Sequence, residues 1–389
     1  MGISQNTDAF KFQRLLMETA GFWPRREASI FYLIYGLSAY GIVVLFAVSL
    51  LLSTMVVKDF KQLILGWSMF TAMLNCSLKF TVFRVKMPAF LELLDFIRSP
   101  HFFYHREEFD HHLKRIIKIA TVVVKLFFCS GMTTYTCLIS APLFSKEERI
   151  TPFPFPLDLK QYSVMVYILV YVFQSVALFA AAWISIGFDN LSTGMMGLCS
   201  AYFAILRQTI IFATEEFRNE KLDNINLYSK HDKQIYRDLS DCSTHHLAVI
   251  SFTQQIEKIF SYVFLSQFLC SAGGICLSGF TFINSEPGSP ECIFALNLMG
   301  TLMFQITLYC AYGNEVTVQS AMVLDACYMT EWIYCGPEVR RSLFLIMERS
   351  KRPLALTAGK FVNLSLSSLV SVIKSAGSYA MVLYQLYHS

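Results

Sequence analysis

The chain has 389 residues, 54% of them hydrophobic and only 15% charged, against roughly 45–50% and 25% in ordinary globular chains. Its formal net charge is +4 and its mean hydropathy +0.47, with 35 Phe and 19 Tyr. So few charges cannot coat so apolar a chain, which excludes a soluble enzyme, a disordered protein and a secreted disulfide scaffold. An integral membrane protein is left.

Residues 1–28 are polar, and Asn6 stands where a myristoylation signal needs Ser or Thr. The first apolar run is therefore expected to act as a retained signal-anchor behind a cytoplasmic N-terminal segment. A helix needs about 20 mostly apolar residues to cross the hydrocarbon core. Seven runs qualify: 29–57, 62–83, 116–144, 162–186, 259–283, 292–314 and 364–387. Apolar continuations at 191–206 and 316–324 predict helices that outrun the bilayer and pack in a cytoplasmic bundle. The expected architecture is an all-α membrane protein of one domain, 1–389. Helices four to six extend into an anchor region at 187–258 and 315–361. The sequence has no internal repeat and no low-complexity tract.

Orientation follows from the positive charges, because cytoplasmic loops keep an excess of Lys and Arg. Of the 32 Lys and Arg, 24 fall before span one, in the loops after spans two, four and six, and at Lys118 at the start of span three. Five fall on the other face, and Lys79, Lys125 and Lys374 lie inside spans. This predicts an N-terminus inside and a C-terminus outside, the reverse of a G-protein-coupled receptor.

In the last span Ser375, Ser378, Val382 and Gln385, with Leu386 beside it, share one helical face. Such a face suits a pore closed by an apolar ring, but spacing alone favours a helix–helix packing surface. Lys374 is expected to point into packing or snorkel inward, and Lys79 and Lys125 to snorkel toward the cytoplasm. His101, His105, His111 and His112, and the pair His245–His246, have no Cys partner at zinc spacing. They read as solvated polar positions, and no metal or cofactor is expected. Ser371-x-x-Lys374 is an isolated match to a Ser–Lys nucleophile pattern, without any other catalytic group. No enzyme is expected. Sequons at Asn75, Asn190 and Asn363 fall in spans or on the cytoplasmic side, so none should be glycosylated. Of the 11 Cys, Cys292 lies nearest an oxidising face, with Cys276 or Cys137 as its possible partner.

The C-terminal region carries Gly336-Pro337, Arg341, Leu343, Met347, Lys351-Arg352-Pro353 and Leu356-Thr357-Ala358-Gly359-Lys360-Phe361 before the last apolar helix. That helix ends Ser378-Tyr379-Ala380-Met381-Val382-Leu383-Tyr384-Gln385-Leu386, and Tyr328 and Trp332 precede the pattern. The stretch resembles the C-terminal region of insect odorant receptors, with which the chain length and inverted topology agree. The resemblance implies an odorant-gated, non-selective cation channel in the plasma membrane of sensory neurons. It implies a tetramer shared with a coreceptor, a central pore lined by the last helix at 364–387, and no nucleic-acid partner. The segment 214–244, expected to be a loop, is short beside the coreceptor's insertion, which points to a tuning subunit. On this reading Ser378, Val382, Gln385 and Leu386 form the pore and gate, and Tyr379 packs behind it.

The resemblance also puts the odorant among the extracellular halves of helices two to five. The candidates are Phe70, Met73, Ser130, Thr133, Thr134, Cys137, Tyr171, Gln174, Leu178 and Cys276, an apolar and aromatic box with sparse polar points. Ordinary interhelical packing is the competing account for each of them. A gustatory receptor subunit shares the inverted plan but is expected to carry Thr-Tyr…Gln-Phe where this chain has Ser378-Tyr379…Gln385-Leu386. A secondary transporter predicts an internal repeat and broken helices, and neither is evident.

Overall fold

The computed structural model describes residues 11–27, 29–57, 59–102, 109–140, 142, 149–215 and 226–388. The start of the chain through Asn6, His105 and Ser389 lie outside the described residues. The described chain is almost wholly helical: α1 Lys11–Thr19, α2 Ile30–Ser53, α3 Phe60–Val85, α4 Met87–Ile97, α5 Asp110–Ser140 and α6 Val164–Glu215. There follow α7 Asn226–Asn284, α8 Pro290–Tyr328, α9 Pro337–Ser350 and α10 Leu366–His388, with a hairpin of β1 Thr357–Ala358 and β2 Val362–Asn363 before α10. Seven helices, α2, α3, α5, α6, α7, α8 and α10, are long and apolar enough to cross a membrane.

Three of them outrun any bilayer. Helices α6, α7 and α8 have 52, 59 and 39 residues, or about 78, 88 and 58 Å at about 1.5 Å per residue, against a hydrocarbon core of roughly 30 Å. Helix α6 is buried all round from Ile186 to Phe203, the mark of a helix at the centre of a bundle. The segment 226–244, expected to be loop, is instead the first part of α7. Its charges misled the reading. Ile235, Leu239, Cys242, His246, Val249, Phe252 and Ile256 are buried at three- and four-residue spacing, so the charges occupy only the outer face of an amphipathic helix.

Local chemistry sets the ends. Helix α8 starts at Pro290, whose missing N–H costs nothing at a first turn, and Ser289 accepts from the Cys292 amide at 3.2 Å. Before α10 the chain turns through Gly359 at φ +61° and Lys360 at φ 65°. The turn lies on α7: Gly359 donates its N–H to the Ser261 carbonyl at 2.9 Å, and the Ser261 hydroxyl donates to the Thr357 carbonyl at 3.0 Å. A Cβ at Gly359 would stand 2.6 Å from Leu265 Cδ2. The run Thr357-Ala358-Gly359-Lys360 is thus a hairpin that sets where the last helix begins.

At the other end of the chain, α1 docks on α6. Trp183 donates its indole N–H to the Leu16 carbonyl and the Thr19 hydroxyl, both at 3.0 Å. All 11 cysteines are free, so Cys292 pairs with neither Cys276 nor Cys137.

Candidate ligand-binding site

A cavity of about 150 Å³ lies between α3, α5, α6, α7 and α8, the volume of a buried apolar site that admits benzene. Met69, Met73, Phe127, Leu138, Leu178 and Leu302 give it apolar walls. Its polar points come from Thr134, Asn75, Gln267, Ser271, Thr301 and Gln305. These points are organised rather than scattered. Asn75 donates through Nδ2 to Gln267 Oε1 at 2.8 Å and accepts from Ser266 at 3.1 Å, while Gln267 Nε2 donates to Ser271 at 2.7 Å. On the opposite side Thr134 donates to Asn297 Oδ1 and shares a 3.2 Å contact with Thr301. Satisfying these groups among themselves lets polar atoms sit in an apolar bundle at little cost.

Behind the wall stands a buried charge pair. Lys79 Nζ lies 2.5 Å from Asp189 Oδ1, with the two side chains 0% and 2% exposed. Tyr309 donates its hydroxyl to the same oxygen at 2.6 Å, and Gln305 donates through Nε2 to Asp189 Oδ2. Lys79 therefore does not snorkel. It points inward because α6 brings a carboxylate to it, and the carboxylate's other lone pairs are filled by Tyr309 and Gln305.

Three of the residues expected to bind ligand, Met73, Thr134 and Leu178, line this cavity. The other seven lie off its wall. Thr133 is exposed on the outer face of α5 and donates to the Cys129 carbonyl at 2.8 Å. Phe70 packs edge-on to Trp67 at 5.5 Å between ring centroids. Ser130 meets Thr301, itself in the wall, at 3.2 Å. Tyr171 donates its hydroxyl to the Ile139 carbonyl. Gln174 is fully buried and clamps both the N–H and the carbonyl of Phe153, each at 3.1 Å. Cys137 and Cys276 are half-buried outside the wall. Sequence reasoning missed Asn75, Gln267, Thr301 and Gln305, because it left the sixth span out of the site and took each span only by its outer half. The signal was present, since Gln305 and Asn297 are amides inside a long apolar helix.

On α10 only Ala376 and Ala380 are buried, and Ala380 Cβ lies within contact distance of the Gly279 position on α7. Ser378, Val382, Gln385 and Leu386 are exposed on the surface of the chain. Of the seven spans this one is buried least, at 11% of its apolar stretch.

A family model described as 7tm Odorant receptor matches residues 59–377. The chain belongs to this odorant receptor family. Among its relatives, odorant receptor 22c of Drosophila melanogaster is 25% identical over 322 residues, covering 79% of this chain and 78% of that one. Odorant receptor Or1 of Anopheles gambiae is 21% identical over 97% of this chain and 95% of its own. Odorant receptor 94a of Drosophila melanogaster is 34% identical, but over 142 residues, 36% of either chain. In three dimensions the odorant receptor fold matches the insect olfactory receptor OR5 from Machilis hrabei in complex with eugenol. The TM-score is 0.85 at 14% identity, covering 99% of this chain and 100% of that one. The same receptor in a second structure gives 0.84. The chain is thus a multi-pass membrane protein with the odorant receptor fold.

Proposed function

We propose that this odorant receptor is the tuning subunit of a ligand-gated, non-selective cation channel. It assembles as a tetramer with coreceptor subunits in the plasma membrane of sensory neurons, N-terminus inside. One observation carries the reading. A mostly apolar cavity lies among five spans, while the seventh span leaves most of its surface unburied, the face of Ser378, Val382, Gln385 and Leu386 included. A volatile suits the first, since shape and dispersion dominate in an apolar cavity with few polar points. A central pore suits the second, with Ser378 and Gln385 toward the ion path and Val382 and Leu386 as the apolar constriction. The related Machilis hrabei receptor in complex with eugenol supports a small organic ligand. Met73, Thr134 and Leu178 are the ligand contacts on this reading.

Ligand binding opens the channel only if the open state binds more tightly, because equal affinity shifts no equilibrium. The test is current recording under an odorant panel, with this chain expressed with and without a coreceptor. Odorant-evoked cation current that requires this chain supports the proposal. Silence across the panel, with the chain on the cell surface, contradicts it.

A further inference from the structure

We propose that the cavity selects ligands that donate a hydrogen bond, alcohols and phenols rather than ketones, esters or ethers of the same shape, and that Gln305 makes the selection. The inference rests on the odorant-binding reading and specifies its ligand class. Gln305 lies in the cavity wall and is 7% exposed. Its Nε2 donates to Asp189 Oδ2. That bond fixes which way the amide points. Asp189, as the ion-pair partner of Lys79, is an acceptor only, so the amide must turn its NH2 toward the carboxylate. Neither can the carboxylate turn away, because Lys79 at 2.5 Å and Tyr309 at 2.6 Å hold its other oxygen.

Gln305 Oε1 is thereby left without a hydrogen-bond partner among the described residues. As a free acceptor on a residue of the cavity wall, it gains a hydrogen bond from a ligand that donates and none from a ligand that only accepts. The other amides in the wall do not make the same demand, since each polar atom of Asn75 and Gln267 already has a partner. Tyr135 also lines the cavity, but a hydroxyl donates and accepts alike and so does not discriminate. A ligand O–H completes the Gln305 amide. A ketone placed there sets carbonyl against carbonyl. The ion pair accordingly acts on specificity without touching the ligand, by holding the amide in one orientation.

Three probes of one size fit a cavity of about 150 Å³: cyclohexanol, cyclohexanone and methylcyclohexane. Their binding is measured as thermal stabilisation of the purified full chain in lipid nanodiscs, a readout independent of channel opening. Cyclohexanol is expected to bind a few-fold to about tenfold more tightly than cyclohexanone. Gln305→Met, similar in length and without the acceptor, is expected to bring that ratio near one while methylcyclohexane binding persists. Equal or tighter binding of the ketone to the unmodified chain overturns the inference and leaves the odorant-binding reading standing. A ratio that survives Gln305→Met also overturns it. If Gln305→Met does not fold, the three probes on the unmodified chain decide the matter. Failure of all three to bind while odorants still evoke current moves the ligand site elsewhere, and silence in both measurements contradicts the proposed function itself.

Discussion

Lys79 on α3 and Asp189 on α6, separated by 110 positions in the chain, meet at 2.5 Å with both side chains sealed from solvent. Their attraction in a low-dielectric interior is opposed by the desolvation of two charges, so the pair is worth little net. Losing one partner is another matter, because the survivor is a buried unpaired charge. Lys79→Met is expected to destabilise the chain by about 3–5 kcal/mol. The double variant Lys79→Met/Asp189→Leu should recover much of that loss. Surface expression and thermal unfolding of the single and double variants check this; a double variant as unstable as the single one contradicts the ion-pair account.

Gln174 holds Phe153 by both backbone groups at 3.1 Å, fixing the segment before α6 onto the bundle. Gln174→Leu leaves the buried Phe153 N–H unpaired, at about 1–3 kcal/mol, while the Phe153 carbonyl keeps the Thr151 hydroxyl at 2.8 Å. Unfolding temperature should fall while the order of odorant preference stays the same. A reordered preference with unchanged stability would put Gln174 at the ligand after all.

Gly359 sits at φ +61° with Leu265 Cδ2 2.6 Å from where its Cβ would be. The left-handed backbone alone costs a β-carbon-bearing residue about 1–2 kcal/mol, and the contact adds to it. Gly359→Val is expected to reduce surface expression sharply, whereas Lys351→Ala, on an exposed residue nearby, should not. Equal expression of the two variants would show that the turn tolerates a side chain.

Much of this was legible in the sequence, and the gaps have physical causes. Seven spans stood out because lipid demands about 20 apolar residues per crossing, and few chains satisfy that by accident. The first part of α7 was obscured because an amphipathic helix that outruns the bilayer carries the charges of a loop on its outer face, and only its period reveals it. The ion pair was hidden by cutting the fourth span at residue 186, three residues short of Asp189. A lone Lys79 in one span and a lone Asp189 in an otherwise uncharged stretch of another were the signal that two charges pair. The cavity wall was the least legible part. Which face of a helix meets a cavity depends on rotations set by packing, so Thr133 and Thr134 are adjacent in sequence yet lie on opposite sides of that division.

For the pore, Val382→Ala widens the proposed apolar ring and lowers the cost of wetting it, so basal current should rise or opening become easier. Gln385→Arg adds positive charge at the same level and should depress cation current. In the proposed heteromer, coreceptor subunits would dilute both effects. Recording from the two variants with the same coreceptor checks them, and unchanged amplitude, selectivity and gating in both would remove α10 from the ion path.

The central claim is that the cavity between α3, α5, α6, α7 and α8 holds the odorant that opens the channel. The most direct test compares odorant-evoked current across one panel for Met73→Phe, which fills the cavity, and Thr133→Phe, on the outer face of α5. Met73→Phe should lose bulky ligands before small ones, with surface expression maintained, and Thr133→Phe should keep the original tuning. Altered tuning in Thr133→Phe, with Met73→Phe unchanged, would contradict the account.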